Sequence, residues 1–174
     1  MVYLSNKFME RNKELKNNNK YKILFVCLGN ICRSAAAEAV MKSVLKKHSD
    51  SRFDVDSAGI LSYHQGEPAD ARMRYFAAQR GYDVTSISRP VTSHDFEEFD
   101  LILGMDDRNI DDLHDRAMTL EQESKIHKMT DFCVNVEATH VPDPYYGGNE
   151  GFERVMDLLE DACEGLYDYL NKNK

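Results

Sequence analysis

The sequence predicts an α/β protein built as a single three-layer domain, in which helices flank a central four-stranded parallel sheet. Short apolar runs alternate along the chain with segments whose apolar residues recur at helical spacing, and this alternation is typical of βαβ units. A length of 174 residues suits one domain with its own core. We therefore expect one domain over residues 21–174.

The composition and the net charge exclude several classes of protein. The chain is 42% hydrophobic and 30% charged, as in ordinary globular proteins. Its net charge of -8 argues against a nucleic-acid-binding protein, since such binding needs a basic surface. Four cysteines are too few for a disulfide scaffold, and no apolar segment has the length of a signal-peptide core or a membrane span. We expect a cytoplasmic protein without a membrane span.

Residues 1–20 differ from the rest of the chain. They carry five basic and two acidic residues and include three consecutive asparagines, whereas the remainder is acidic. This composition is typical of a terminal segment that does not join the core. We expect a leader that is disordered or loosely helical, and we assign it no function.

The first strand and the first helix follow this leader. A strand is predicted at Ile23 to Val26, because the run is continuously apolar and partly β-branched, as in parallel strands buried on both faces. A helix is predicted from about Ser34. Its apolar face consists of residues at the spacing of one helical stripe: Ala37, Val40, Met41, Val44 and Leu45.

The remaining elements continue the alternation. Further strands are predicted at Phe53 to Ser57, at Leu101 to Leu103 and at Lys125 to Met129. Shorter helices are predicted at about 70–80, ending at Gly81, from about 92 or 93, and at about 108–113. A long final helix is indicated by apolar residues at helical spacing: Phe152, Val155, Met156, Leu159, Cys163, Leu166 and Leu170.

The loop between the first strand and the first helix carries the strongest chemical pattern. Cys27 ends the strand, and Arg33 follows six residues later at the start of the helix. Loop amides and a helix N-terminus together bind anions, and a guanidinium adds two parallel hydrogen bonds to a phosphate. The same positive field favours the Cys27 thiolate, which is the nucleophilic form. The sequence therefore predicts a phosphate-binding loop that contains a nucleophile.

This loop also carries a family resemblance. The segment Val-Cys-Leu-Gly-Asn-Ile-Cys-Arg-Ser at 26–34, followed by Ala-Glu-Ala at 37–39, closely resembles the low molecular weight protein tyrosine phosphatases. Asp-Ser-Ala-Gly at 56–59, Phe-Asp at 99–100 with Met-Asp at 105–106, and Asp-Pro-Tyr-Tyr-Gly at 143–147 match the same family in the same order. The resemblance covers about 22–170 and implies a protein-tyrosine-phosphatase, a phosphoric monoester hydrolase that needs no cofactor and no metal.

The resemblance also implies roles for individual residues. Cys27 is the nucleophile, Arg33 the phosphate clamp and Asp143 the general acid and base. The implied substrate-binding residues are Leu28, Gly29, Asn30, Ile31, Cys32, Ser34, Tyr63, Tyr145 and Tyr146. Among them, Leu28, Tyr63 and Tyr145 wall the pocket, and Ser34 stabilises the thiolate as it leaves. Asn30 holds the loop through hydrogen bonds to Ser57 and Ser86, although many eukaryotic members have histidine where this chain has Ser86.

From the residues alone, Asp143 and the two tyrosines have other interpretations. Asp143 lies between Pro142 and Pro144, and both residue types favour turns, so a turn aspartate fits this pattern as well as an acid catalyst does. Tyr145 and Tyr146 suit either ordinary packing or the walls of an aromatic pocket. The resemblance favours the catalytic alternative in each case.

The expected partners follow from the family. We expect phosphotyrosine-containing protein substrates, a tyrosine kinase acting on Tyr145 or Tyr146 as a candidate partner, and a monomer. Protein arginine phosphatases of the same family carry threonine at the position of Ile31. An apolar side chain there suits a neutral ring better than a guanidinium that must shed water without a partner. We therefore expect preference for phosphotyrosine over phosphoarginine and phosphoserine.

Three alternatives compete with this interpretation. A metal site is disfavoured because the sequence has no C-x-x-C motif and its histidines are scattered. A thiol redox enzyme of the arsenate reductase kind would use Cys27 and Cys32 in relay, but that family carries a close C-terminal cysteine pair, whereas Cys133 and Cys163 are thirty residues apart. A noncatalytic phosphate-binding module would need neither a thiol nor Asp143, and would lack phosphate hydrolysis.

Overall fold

The structure is a computed structural model that describes residues 20–172, apart from the side chain of Tyr146. The predicted leader at 1–20 lies outside the described residues except for Lys20, whose ammonium donates to Asp54 at 3.0 Å. Among residues 20–172, no helix is long and apolar enough to cross a membrane.

Four parallel strands form the sheet. They are β1 (Tyr21–Cys27), β2 (Phe53–Gly59), β3 (Leu101–Gly104) and β4 (Ile126–Lys128), in the order β2-β1-β3-β4. Cys27 pairs with Gly59 on one side, and Val26 pairs with Gly104 on the other. The carboxyl ends of three strands therefore meet at one edge, where ligands of open parallel sheets bind.

The central strand β1 is buried on both faces, as predicted. Ile23 and Phe25 belong to one apolar cluster, and Leu24 and Val26 to a second cluster on the other face of the sheet. All four side chains are inaccessible to solvent. Alternate residues of a strand point to opposite faces, so a continuously apolar run indicates cover on both sides.

Helices supply this cover. The first cluster includes residues of α1 (Arg33–Lys47), α2 (Ala71–Gln79) and α6 (Asn149–Lys172), and the second includes residues of α3 (Asp95–Glu98) and α4 (Asp107–Arg116). A short α5 (Leu120–Glu123) and two 3-10 turns (Met129–Phe132 and Pro144–Tyr146) complete the elements of the described chain. The predicted three-layer α/β fold with a four-stranded parallel sheet is confirmed.

The element boundaries follow local chemistry. The α2 helix begins after Asp70, whose carboxylate accepts from the amides of Arg72 and Met73, and Gly81 follows its end with a φ of 87°. The sequence analysis missed α5 and both 3-10 turns, because three or four residues are too short to show a periodic pattern.

Candidate active site

The phosphate-binding loop lies at the carboxyl edge of the sheet, between β1 and α1. Its conformation requires Asn30 to adopt a φ of 55°, a left-handed conformation that asparagine tolerates better than most residues. Gly59 of β2 supports it from below, because a Cβ there would lie 3.0 Å from the Gly29 carbonyl carbon. A side chain at residue 59 would therefore press on the backbone of the loop and require it to shift by a few tenths of an ångström.

Cys27 ends β1 at the base of this loop and is only 3% exposed. Its Sγ lies 3.1 Å from the Ser34 Oγ, and that oxygen accepts a 2.8 Å hydrogen bond from Asn30 Nδ2. With its oxygen occupied by Asn30, the Ser34 hydroxyl can direct its own proton at the sulfur.

Arg33 opens α1 and is held by one of its two terminal nitrogens. Nη1 donates to Asp106 Oδ2 at 2.7 Å and to the Val141 carbonyl at 3.0 Å. Nε is shielded from solvent and has no hydrogen-bond partner among the described residues, while Nη2 lies 3.7 Å from Asp143 Oδ2. Burial acts to lower the pKa of Arg33, but the charges of Cys27, Asp106 and Asp143 raise it. The guanidinium thus has one anchored nitrogen and one edge without a strong partner.

A buried polar chain lies under the loop. Asn30 Nδ2 also donates to Ser57 Oγ at 2.9 Å, and Ser57 Oγ donates to Glu38 Oε2 at 3.2 Å. Burial raises the pKa of Glu38, whereas its pairing with Lys42 acts to lower it. Because these groups are buried and hydrogen-bonded together, they fix the Asn30 side chain and with it the loop.

The predicted hydrogen bond from Asn30 to Ser86 is not formed. The Ser86 hydroxyl oxygen is shielded from solvent without a partner among the described residues, and Asn30 Oδ1 accepts instead from the Arg89 amide at 3.1 Å. Gly59 exchanges backbone hydrogen bonds with Arg89 and Val91. This pairing brings the Arg89 amide to the loop, and the Ser88 hydroxyl adds a 2.9 Å bond to the Gly29 carbonyl.

A cavity of about 330 Å³ opens above the loop. Its lining contains nine predicted site residues: Cys27, Leu28, Gly29, Ile31, Cys32, Arg33, Tyr63, Asp143 and Tyr145. Leu61 and His64 line it as well, and the sequence analysis did not select them. Tyr63 is 84% exposed, so it stands at the rim, whereas Tyr145 is half-exposed.

Asp143 reaches this cavity from the loop before α6. Its carboxylate accepts the Tyr145 amide at 3.0 Å and so caps the Pro144–Tyr146 turn. Both interpretations left open by the sequence, turn residue and acid beside the phosphate loop, are therefore compatible with its position. The side chain of Tyr146 falls outside the description.

Asp106 is the most important neighbour that the sequence analysis gave no role. It lies two residues after the end of β3 and caps α4 by accepting the Asn109 amide at 2.8 Å. A carboxylate just beyond the carboxyl end of a strand next to β1 was a usable signal, because parallel strands bring such residues to the same edge.

The other cysteines lie in apolar surroundings. Cys32 is 5% exposed, and burial raises its pKa strongly. Burial also raises the pKa of Cys133 to about 11, and Cys163 is fully buried in the core. Neither Cys133 nor Cys163 lines the cavity that contains Cys27. Within residues 20–172, no cluster of three or more histidine, cysteine or acidic side chains is arranged to hold a metal.

Comparisons with known proteins identify relatives that are named as protein phosphatases. Residues 22–174 match the family described as low molecular weight phosphotyrosine protein phosphatase. A crystal structure of a protein tyrosine phosphatase from Entamoeba histolytica superimposes with a TM-score of 0.86 at 55% identity, over 88% of this chain and 98% of that one. A low molecular weight protein-tyrosine-phosphatase of Bacillus subtilis is 37% identical over 87% of this chain and 97% of its own. The crystal structure of a Drosophila arginine phosphatase superimposes with a TM-score of 0.81 at 31% identity, over 86% of this chain and 98% of that one.

Proposed function

The chain belongs to the low molecular weight phosphotyrosine protein phosphatase family, and from this premise we propose that it hydrolyses phosphotyrosine in proteins through a phosphocysteine on Cys27. Arg33 binds the phosphate, and Asp143 acts as general acid and then as general base. Aryl phosphates of small size are substrates of the same site. No cofactor takes part in the proposed reaction.

The buried Nε of Arg33, which has no hydrogen-bond partner among the described residues, is the observation that carries this proposal. A buried N–H without a partner is costly, so native proteins usually satisfy it. Here Nε is buried without a partner among the described residues, while Nη1 is fixed by Asp106 and Val141. A phosphate in the cavity can accept from Nε and Nη2 together, in the bidentate geometry that guanidinium favours. The loop amides supply further donors to the same anion.

In the first step, the Cys27 sulfur attacks phosphorus in line with the ester oxygen. The S–P bond forms as the P–O bond to the phenol breaks, and the electron pair of that bond goes to the leaving oxygen. A tyrosine phenol has a pKa of about 10 and leaves poorly as an anion, so Asp143 donates its proton to this oxygen. The product is a phosphocysteine and a neutral tyrosine.

In the second step, water replaces the sulfur. Asp143, now ionised, accepts a proton from the attacking water as its oxygen bonds to phosphorus. The S–P bond breaks, and Cys27 leaves as a thiolate that Ser34 can stabilise from 3.1 Å. Inorganic phosphate departs from Arg33, and the site returns to its starting state.

The cavity walls favour an aromatic substrate. Ile31 lines the cavity beside the nucleophile and offers no hydrogen-bonding group. Tyr145 and Tyr63 present rings on which a phenyl ester can pack. Phosphoarginine is the second candidate, because a solved arginine phosphatase has the same fold at 31% identity. The Ile31 side chain offers the guanidinium of that substrate no hydrogen-bonding group beside the nucleophile, so the water that it sheds there is not replaced.

The test compares three peptides of one sequence that carry phosphotyrosine, phosphoserine or phosphoarginine. The full chain should hydrolyse the phosphotyrosine peptide with the highest kcat/KM and show essentially no activity on phosphoserine. Cys27→Ser should abolish turnover but retain binding of inorganic phosphate, because a hydroxyl is a far weaker nucleophile in the same cradle.

Two outcomes oppose the proposal. Turnover by Cys27→Ser within about tenfold of the unaltered protein would exclude the phosphocysteine, since loss of a covalent nucleophile costs far more. A kcat/KM for phosphoarginine at or above that for phosphotyrosine would overturn the substrate assignment and leave the cysteine chemistry intact.

A further inference from the structure

The Arg72 side chain lies between the acid-bearing turn and the core. Its guanidinium carbon is 5.4 Å from the ring centroid of Tyr145 and 4.9 Å from that of Phe152. Phe152 is 1% exposed and stacks on Phe76 of α2, with ring centroids 5.4 Å apart. Arg72 therefore contacts one ring that is fixed in the core, Phe152, and one ring that forms a wall of the cavity, Tyr145.

Asp70 fixes the orientation of this guanidinium. Arg72 Nε and Nη2 each donate at 3.3 Å to one oxygen of the Asp70 carboxylate. The Asp70 amide donates to the Ile31 carbonyl of the phosphate-binding loop at 2.8 Å. Asp70 thus connects Arg72 to the loop that surrounds Cys27.

On the other side, Arg72 connects to the general acid. The Tyr145 ring touches Arg72, and the Tyr145 amide donates to Asp143 Oδ1 at 3.0 Å. A continuous series of contacts therefore runs from Ile31 through Asp70, Arg72 and Tyr145 to Asp143. It joins the two halves of the site, which the chain separates by more than one hundred residues.

We propose that Arg72, oriented by Asp70, is a positioning residue that holds the Tyr145 wall and the Asp143 turn against the phosphate-binding loop. This inference rests on the proposed function, because it assumes that Tyr145 contacts the substrate and that Asp143 is the acid. Arg72 does not line the cavity that contains Cys27. Arg72 affects the reaction by setting the positions of the Tyr145 ring and the Asp143 carboxylate.

A purely structural role accounts less well for these contacts. The Arg72 side chain is 47% exposed, and ion pairs at such positions contribute little to stability. The Asp70 carboxylate already caps α2 through two amides without the guanidinium. Tyr145 is half-exposed, and the Arg72 guanidinium lies over its ring. A misplaced acid or wall lowers catalysis even when the fold is intact.

The test uses Arg72→Met, which keeps the apolar stem and removes the cation, and Arg72→Lys, which keeps a cation without the planar fork. Arg74→Met is the matched control, since Arg74 is an exposed α2 residue whose side chain donates, within residues 20–172, to the Ala69 carbonyl alone. Each full-length variant is assayed with a phosphotyrosine peptide and with an activated nitrophenyl phosphate. Inhibition by inorganic phosphate measures the phosphate loop alone.

Arg72→Met should lower kcat/KM for phosphotyrosine by about tenfold, the size of one partly desolvated cation–π contact. The loss should be smaller for the activated ester, which needs less protonation, and the inhibition constant of phosphate should not change. Arg72→Lys should recover part of the loss, and Arg74→Met should match the unaltered protein. In a Tyr145→Leu background, Arg72→Met should cause almost no further loss, because the two side chains act through one contact.

The inference is wrong if Arg72→Met matches Arg74→Met, if it weakens phosphate inhibition as much as turnover, or if its effect is undiminished without Tyr145. Two other results would contradict the proposed function. They are the absence of phosphotyrosine turnover by the unaltered chain and retained turnover by Cys27→Ser. The two failures are therefore distinguishable in the same set of assays.

Discussion

Asp106 accepts a 2.7 Å hydrogen bond from Arg33 Nη1, and this pair connects the first residue of α1 to the loop after β3. The Arg33 side chain is 3% exposed and that of Asp106 is 26% exposed. A charged hydrogen bond of such limited exposure is stronger and more geometrically restrictive than a surface pair. It sets the orientation of the guanidinium before any phosphate arrives.

Asp106→Asn should weaken phosphate binding and turnover together. Asparagine keeps an oxygen for the Asn109 amide and so preserves the cap of α4, but it removes the negative partner of a buried guanidinium. Loss of one charge-assisted hydrogen bond costs about 1.5–3 kcal/mol, so kcat/KM and phosphate affinity should fall about tenfold to a hundredfold. Steady-state kinetics and phosphate inhibition measure both.

The neighbouring Asp107→Asn is the control, because the Asp107 side chain is 79% exposed and pairs with Lys128 at the surface. It should leave both constants near those of the unaltered protein. If Asp106→Asn binds phosphate equally well, Asp106 does not orient the clamp.

Much of the fold was predictable because its signals are local. The apolar run around Phe25, the helical stripe through Met41 and the loop between Cys27 and Ser34 each specify one element from a few consecutive residues. The cap at Asp70 and the left-handed Gly81 set the limits of α2 in the same way. Local rules therefore sufficed for the strand, loop and helix that carry the nucleophile.

The rest of the site depends on contacts between distant segments. The Arg89 amide binds Asn30 across 59 residues, and Arg33 reaches Val141 across 108. A backbone amide leaves no mark in the residue types, so the resemblance implied for Ser86 a role that Arg89 and Ser88 fill. His64 enters the cavity lining through a turn next to Gly29, and no local periodicity indicates that approach.

Asp143→Asn should make the rate depend more steeply on the leaving group. An amide cannot donate the proton that a tyrosine phenol needs, whereas an activated phenol leaves almost as readily without it. The expected loss in kcat/KM is therefore greatest for phosphotyrosine and least for nitrophenyl phosphate. Kinetics with a series of substituted phenyl phosphates measure the slope. Equal losses across the series would assign the acid to another residue.

Gly165→Ala should destabilise the protein. A Cβ at Gly165 would lie 1.9 Å from the Phe132 carbonyl oxygen, so α6 and the Met129–Phe132 turn would have to separate. If the backbone cannot move, overpacking of this kind costs about 1–3 kcal/mol. Replacing a helical glycine by alanine without a clash would instead stabilise the helix by roughly 1 kcal/mol. We expect the clash to dominate, because its partner is backbone.

Gly151→Ala in the same helix is the matched control, since its Cβ would meet Pro144 at an ordinary 3.8 Å. Denaturant unfolding should show a lower free energy of unfolding for Gly165→Ala and no loss for Gly151→Ala. Equal stability of the two variants would contradict the predicted clash.

Asp50 should make stability depend on acid pH. Its carboxylate accepts from Arg52 Nε at 2.9 Å and from the Tyr167 hydroxyl at 3.1 Å, and the Arg52 hydrogen bonds lower its pKa to about 2. A lowered folded-state pKa gives stability that is present above the unfolded value of about 3.9 and is lost as the pH falls toward 2. Because solvent screens part of this interaction, the contribution at neutral pH is about 1 kcal/mol.

Asp50→Asn should therefore be less stable than the unaltered protein at pH 7, and the difference should shrink between about pH 4 and pH 2. Urea unfolding at several pH values measures it. A difference that stays constant over this range would show that the charge of Asp50 is not its source.

Ile31→Thr should shift the substrate preference toward phosphoarginine. Ile31 lines the cavity beside Cys27, and its carbonyl is held by the Asp70 amide at 2.8 Å, so the backbone position should survive a change of side chain. Threonine has the same branched shape at Cβ but adds a hydroxyl, which can pair with the N–H groups of a guanidinium. The same hydroxyl offers nothing to a phenyl ring and removes apolar contact. The ratio of kcat/KM for phosphoarginine to that for phosphotyrosine should rise about tenfold, the effect of one hydrogen bond to a charged group.

Ile31→Val is the control, because it keeps an apolar branched side chain and should leave the ratio unchanged. A ratio that is the same in the threonine and valine variants would mean that the side chain at 31 does not select the substrate.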